Sequence, residues 1–209
     1  MKQAIPLQPL IGKKLEAIKW LRPQESYDDV LIENADFNGR EIKKVCLDSS
    51  VVKECSFNDS NFSGIELTNI SFENCDFSNA DFSESAIHRS EFIGCKMMGV
   101  NLSQTLLKNV VFKDCRCEYI NLSFSEFGHV EFGGCSMNCG AIDNAKLEDV
   151  LFKKCSLAAA EFFRTPMKGV DLSSCGIEGI KLNLDDAEGL MIDRFQAADI
   201  AAAVGVIIK

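Results

Sequence analysis

Seven of the ten cysteines stand twenty residues apart: Cys55, Cys75, Cys95, Cys115, Cys135, Cys155 and Cys175. Thiols can ligate zinc, exchange disulfides or attack as nucleophiles, and each chemistry asks for different neighbours. Zinc sites use closely paired cysteines, usually completed by histidines at ligand spacing. Cys115–Cys117 and Cys135–Cys139 are the nearest approaches, and no histidine completes either pair. The two histidines, His88 and His129, fall at positions expected to face outward, so a nucleophile with its base and orienting group is hard to assemble. No phosphate-binding loop motif surrounds Gly64, Gly94, Gly99, Gly133, Gly134 or Gly169. The residues therefore predict no catalytic, cofactor or metal site, and the cysteine column reads as small apolar groups filling one buried corner.

Such a column needs an element that repeats every twenty residues, and a shorter period supplies it. A large apolar residue recurs at every fifth position from Phe37, Ile42, Leu47, Val52 and Phe57 to Leu172, Ile177 and Leu182 without a slip in phase, thirty pentads in all. Two positions earlier stands a small or branched residue, as in Ala35, Ser60, Ala80, Val100, Ile120 and Val170. A period of five fits neither an α-helix nor a flat strand. It fits a chain that bends after each pentad and always turns the large residue inward. Four pentads per coil put the cysteines in one stack and align Phe72, Phe92, Phe112, Phe132 and Phe152 in another. The fold predicted is all-β, a right-handed quadrilateral parallel β-helix. At ~4.8 Å per coil it makes about seven and a half coils and a rod of roughly 36 Å.

The open ends of such a rod need caps. Residues 1–28 place Ile11, Leu15, Ile18 and Leu21 on one helical face before Pro23, which predicts an N-terminal helical cap; docking on the first coil and binding a lipid surface are both open to it. Residues 29–184 make the β-helix. Residues 185–209 read as an apolar helix, Gly205 past its end and a short strand over Val206-Ile207-Ile208. Ile192, Phe195, Ala198, Ile200, Ala201, Val204, Val206 and Ile207 are the expected contacts of a two-fold homodimer, the alternative being a helix folded back over the last coil.

The net charge of −9 argues against direct binding of nucleic acid, since affinity for phosphates comes from Lys and Arg. The longest apolar runs are too short to span a bilayer, and Pro6 and Pro9 interrupt the first ten residues, so a cytoplasmic protein with no membrane association is expected.

The pentad run resembles the pentapeptide-repeat family. The tail from Gln196-Ala197-Ala198-Asp199-Ile200 to Gly205-Val206-Ile207-Ile208 looks like the C-terminal dimerisation segment of its Qnr and MfpA type. That resemblance implies a rod-shaped homodimer that mimics duplex DNA, binds DNA gyrase and topoisomerase IV, and protects them from fluoroquinolones. Many proteins of this type carry loops projecting from the helix, whereas the unbroken phase here leaves no room for them. Residues 35–184 hold fifteen basic against twenty-one acidic residues, a dilute charge beside the one per ~1.7 Å of duplex DNA. The alternative is a scaffold or regulator for another protein partner.

Sorting residues by their place in the coil gives one side the strongest acidic balance: Asp36, Asp59, Asp76, Glu118 and Glu178 against Lys96 and Arg116. This is the candidate partner-binding face, or else an ordinary solvated surface. Ile93, Met98, Tyr119, Phe124 and Phe163 break the polar rule at outward positions and are candidate anchors for a partner, though single exposed apolar residues are also normal.

Overall fold

A computed structural model describes residues 5–207 and shows one parallel sheet wound into a solenoid. Its strands are β1 (Glu16–Ile18), β2 (Ser26–Asp28), β3 (Val30–Glu33), β4 (Cys46–Asp48), β5 (Val51–Lys53), β6 (Glu66–Thr68) and β7 (Ser71–Glu73). Four longer ones follow: β8 (Ala86–Ile93), β9 (Leu106–Lys113), β10 (Glu126–Gly133) and β11 (Lys146–Lys153). β2, β4 and β6 stack along one side and β1, β3, β5 and β7 along the next, and from β8 upward each strand runs through the corner that joins the two sides. The remaining two sides are held by parallel bridges, such as Asp36↔Ser56↔Asp76↔Lys96↔Arg116 and Glu41↔Asn61↔Asp81↔Asn101↔Asn121. The offset is twenty residues in each of these pairs, as the cysteine spacing requires.

The chain can turn this tightly because the residue at most corners adopts left-handed backbone, for example Asp59 (φ 54°), Asn79 (φ 57°), Asn109 (φ 56°) and Gly134 (φ 65°). Asn, Asp and Gly carry the least penalty there, and they fill many of these corners.

The core holds ladders of phenylalanine. Phe72, Phe92, Phe112, Phe132 and Phe152 stack with centroids 4.8, 4.9, 4.7 and 5.3 Å apart. Neighbouring ladders meet edge to face, as at Phe57–Phe62 (5.3 Å, 78°). Both arrangements suit the ring quadrupole once the rings are offset.

The cysteine column lies at a buried corner, and its chemistry is legible from what replaces it elsewhere. Cys115 Sγ donates to Phe92 O (3.3 Å), and Cys55 Sγ accepts from Ala35 N–H (3.4 Å). At equivalent inward positions Ser125 Oγ donates to Leu102 O (2.8 Å) and accepts from Thr105 N–H (3.1 Å), and Thr165 Oγ1 serves Ile142 O (2.6 Å) and Ala145 N–H (3.1 Å). Cysteine, serine and threonine thus do one job, joining backbone groups that the bend leaves without partners.

Among the described residues the N-terminal helical cap is not found. Residues 16–18 are β1, which pairs with β3 at an offset of fourteen (Glu16↔Val30), so the first coil closes six residues short. Leu21 is buried, Ile18 packs against the core, and Ile11 and Leu15 are only half-buried. Residues 5–12 instead lie extended across a corner, with Leu7 N–H donating to Asn109 Oδ1 (3.2 Å), Leu10 N–H to Asn69 Oδ1 (3.2 Å) and Gly12 N–H to Ser49 O (3.2 Å). The 3.6-residue pattern lost because an open parallel edge offers backbone hydrogen bonds that a helix docked on it cannot satisfy.

The upper boundary also moves. Solenoid pairing continues past residue 184 to Asp171↔Met191, and a 3₁₀ turn at Asp185–Ala187 sits within that last coil. A second 3₁₀ turn, Arg194–Gln196, leads into the one α-helix among the described residues, α1 (Ala197–Ala203). Of the expected terminal strand, Val206 and Ile207 are not in a strand, and Ile208 lies outside the described residues.

Candidate functional site

The five acidic residues expected to share a face do lie on one side, between the cysteine corner and the next. Asp36, Asp59 and Glu178 are exposed, and Asp76 and Glu118 are half-buried. Asp59 turns a corner and accepts from Asn79 Nδ2 (3.1 Å). Asp76 is set more firmly. Burial pushes its carboxyl upward, but the Ser78 hydroxyl (2.6 Å) and N–H (3.1 Å) and the Lys96 ammonium (3.3 Å) outweigh that and hold it below the usual carboxylate range. Glu118 is the opposite case: its Oε2 is buried and makes no hydrogen bond. The side is therefore not uniformly negative. Lys96 and Arg116 stand mid-rod in the same ladder as Asp36 and Asp76.

The apolar residues sort differently. Ile93 and Phe163 are half-buried, whereas Met98 (48%), Tyr119 (64%) and Phe124 (59%) are exposed. Tyr119 follows Glu118 at the edge of the acidic side, and Met98 lies one coil below Glu118. Tyr119 (φ 59°) and Phe124 (φ 61°) occupy left-handed corners, which elsewhere in the chain hold Asn, Asp and Gly but also Lys, Glu, Gln, Arg, Ala and Cys. At these corners both rings are left exposed and contribute nothing to the core. Sequence reasoning marked both rings as outward but could not see their backbone conformation.

At the far end, the eight residues expected to form a dimer contact divide. Ile192, Ile200 and Val204 pack against the protein's own core, and Ala201 is half-buried. Ala198 is exposed, as are Phe195 (75%), Val206 (53%) and Ile207 (84%). Sequence reasoning missed the buried polar group that anchors this segment. Gln196 Nε2 donates to Leu172 O (2.9 Å) and Cys175 O (2.6 Å), and its Oε1 accepts from Asp193 N–H (2.7 Å). Those carbonyls belong to the last coil, and the Gln-Ala dipeptide was the only signal of this role.

For thiol chemistry the column is poorly placed. Cys55, Cys75, Cys95, Cys115, Cys135, Cys155 and Cys175 are buried, and among the described residues no three metal-ligating side chains come together. A disulfide-exchange reagent is expected to label exposed Cys139 first. Cys46 should follow more slowly, since burial raises its pKa, and the column should react only on unfolding. Rapid labelling of a column cysteine in the native protein would show the corner to be open.

No curated protein sequence matches the chain. Among solved structures, a trypsin-treated form of QnrB1, a plasmid-mediated fluoroquinolone resistance protein, is similar at 18% identity over 97% of this chain and 98% of that one, with a TM-score of 0.36. HetL, a pentapeptide repeat protein involved in heterocyst differentiation regulation from Nostoc sp. strain PCC 7120, is similar at 16% identity over 82% and 85%, with a TM-score of 0.33. Residues 65–142 match the family model described as a pentapeptide repeat region, and the same five-residue register runs through and beyond them on both sides.

Proposed function

We propose that this rod binds a type II DNA topoisomerase, DNA gyrase or topoisomerase IV, as a homodimer that mimics duplex DNA and protects the enzyme from fluoroquinolones. The observation that carries the reading is the acidic side, with Asp36, Asp59 and Glu178 exposed on it and the exposed Tyr119 ring at its edge. It offers a basic groove both charge and an aromatic anchor. The Gln-Ala-led tail, with Phe195, Val206 and Ile207 left exposed at the rod's end, supplies the surface for a second copy. A second reading, a scaffold for another protein, is favoured by Lys96 and Arg116, which interrupt the acidic side where a DNA mimic would be continuous.

The test is gyrase supercoiling in the presence of ciprofloxacin across a titration of the protein. The wild type is expected to restore supercoiling. Asp59→Asn/Glu118→Gln removes two charges while keeping a residue suited to the left-handed corner, and should weaken the effect by on the order of tenfold. Phe195→Asp/Ile207→Asp should give monomers by sedimentation and lose protection. Deleting the tail is a poorer probe, because it would also remove Gln196 from the last coil. A wild-type protein that neither protects nor inhibits the enzyme would end the topoisomerase reading and leave the scaffold reading standing.

A further inference from the structure

The sheet stops at β11 although the chain winds on. In lower coils the residues equivalent to Asp149 donate upward, Ser49 N–H to Thr68 O (3.0 Å) and Asn69 N–H to His88 O (3.1 Å). The carbonyls equivalent to that of Val150 accept from above, Ser50 O from Ser71 N–H (3.1 Å) and Ile70 O from Glu91 N–H (2.8 Å). Among the described residues neither Asp149 N–H nor Val150 C=O has a backbone partner in the next coil, and β11 pairs with β10 alone.

Pro166 accounts for the break. It stands where Glu66, Ala86 and Lys146 donate their N–H to the coil beneath (2.9, 3.0 and 3.0 Å), and proline has none to give to Ala145. The chain then turns through Gly169 (φ 85°) and bonds upward instead, Met167 N–H to Asp186 O (2.9 Å) and Gly169 N–H to Gly189 O (3.0 Å).

The departure opens a cleft of about 630 Å³ beside the edge, within the ~300–1,000 Å³ range of ligand sites. Leu147, Val150 and Met191 give it apolar walls. Leu147 is half-exposed, whereas its column mates Leu47, Leu67, Ile87, Leu107 and Phe127 are at most 4% exposed. A side chain added at Gly169 would meet nothing within 4 Å. Asp149 and Asp171 line the cleft with Lys168. The lysines at the two ends of β11, Lys146 and Lys153, are paired with Glu126 and Glu131, and His129 Nδ1 lies 3.1 Å from the Asp149 carboxylate.

An open row of N–H and C=O groups is a template for another strand, and only extended backbone satisfies it. We propose that the upper edge of β11 is a strand-addition site for an extended segment of a partner protein, basic and bearing small apolar side chains. The acidic balance selects the charge, and the space above Gly169 and the walls at Leu147 and Val150 select the size. The site stands apart from the Asp59–Glu118 side, so it does not depend on the topoisomerase reading.

Two measurements test it. In the free protein the amides of Leu147, Asp149 and Phe152 should exchange roughly 100-fold faster than those of Phe127, His129 and Phe132 one coil below; equal protection would overturn the proposal. The ¹⁵N-labelled protein is then titrated with the capped hexapeptide Lys-Val-Ala-Val-Lys-Val. Saturable shifts confined to β11 and the Lys168–Asp171 turn are expected. They should weaken about tenfold when alternate peptide nitrogens are methylated, and again in Asp149→Asn/Asp171→Asn. The absence of saturable shifts up to millimolar peptide, or equal binding of the methylated peptide, would overturn it.

Discussion

Phe112→Ala is expected to destabilise the rod by about 3–5 kcal/mol. Phe112 is fully buried and lies between Phe92 and Phe132, with ring centroids 4.9 and 4.7 Å away. Truncation removes both stacking contacts and leaves a cavity that the coils cannot collapse to fill, since each is tied to its neighbours by backbone ladders on all sides. The position adds a second consequence. A solenoid's stability is a chain of nearest-neighbour interfaces, so weakening the middle should let the two ends unfold at different denaturant concentrations. Phe37→Ala, at the end of its ladder with one stacked neighbour at 5.0 Å, should cost less and keep a single transition. Urea unfolding followed by far-ultraviolet circular dichroism distinguishes these outcomes. A loss under ~1 kcal/mol at Phe112 would show that the coils relax around the gap.

Replacing Tyr119 and Phe124 by Asn should move stability and binding in opposite directions. Both rings sit exposed on left-handed corners (φ 59° and 61°), a conformation that costs an ordinary residue roughly 1–2 kcal/mol and costs Asn less. Asn79 already fills the corner of Tyr119's column two coils below at φ 57°. The double variant is therefore expected to gain about 1 kcal/mol in chemical denaturation, since little packing is lost with the rings. If the rings anchor a partner, affinity should fall by ~30-fold or more, the scale of an aromatic hot spot truncated at an interface. A destabilised variant would show that the rings pack on the surface and are not strained there. A stabilised variant with undiminished topoisomerase binding would remove them from the contact surface while leaving Asp59 and Glu118 to be judged separately.

Between Phe37 and Leu182 the residues and the coordinates agree because the period is enforced twice. Each large residue must point inward, and each twenty-residue step must place like on like, so a one-residue slip would expose a whole ladder. Phe72, Cys95 and Val130 were assignable to the core on that ground alone, and all are buried. The ends lacked this redundancy. Ile11, Leu15, Ile18 and Leu21 satisfied a helical pattern, but the open edge beneath them competed for the same backbone and took β1. The acidic side was legible as membership of one side. Its electrostatic character was not, because Asp76 is tied to Ser78 and Lys96 while a Glu118 oxygen has no partner, and such pairings depend on which side chains reach across adjacent coils.

The amino-acid sequence by itself determined the five-residue register, the stacking of the phenylalanine and cysteine columns and the acidic lean of one side, since these follow from periodicity and composition. Only the tertiary structure decided that the first coil closes short on β1, that Gln196 anchors the tail, that Tyr119 and Phe124 bear left-handed strain, and that β11 ends in an open edge. Each of those is settled by hydrogen bonds between residues at least thirteen positions apart, or by a backbone angle. Neither quantity is carried by the pattern of polar and apolar residues along the chain.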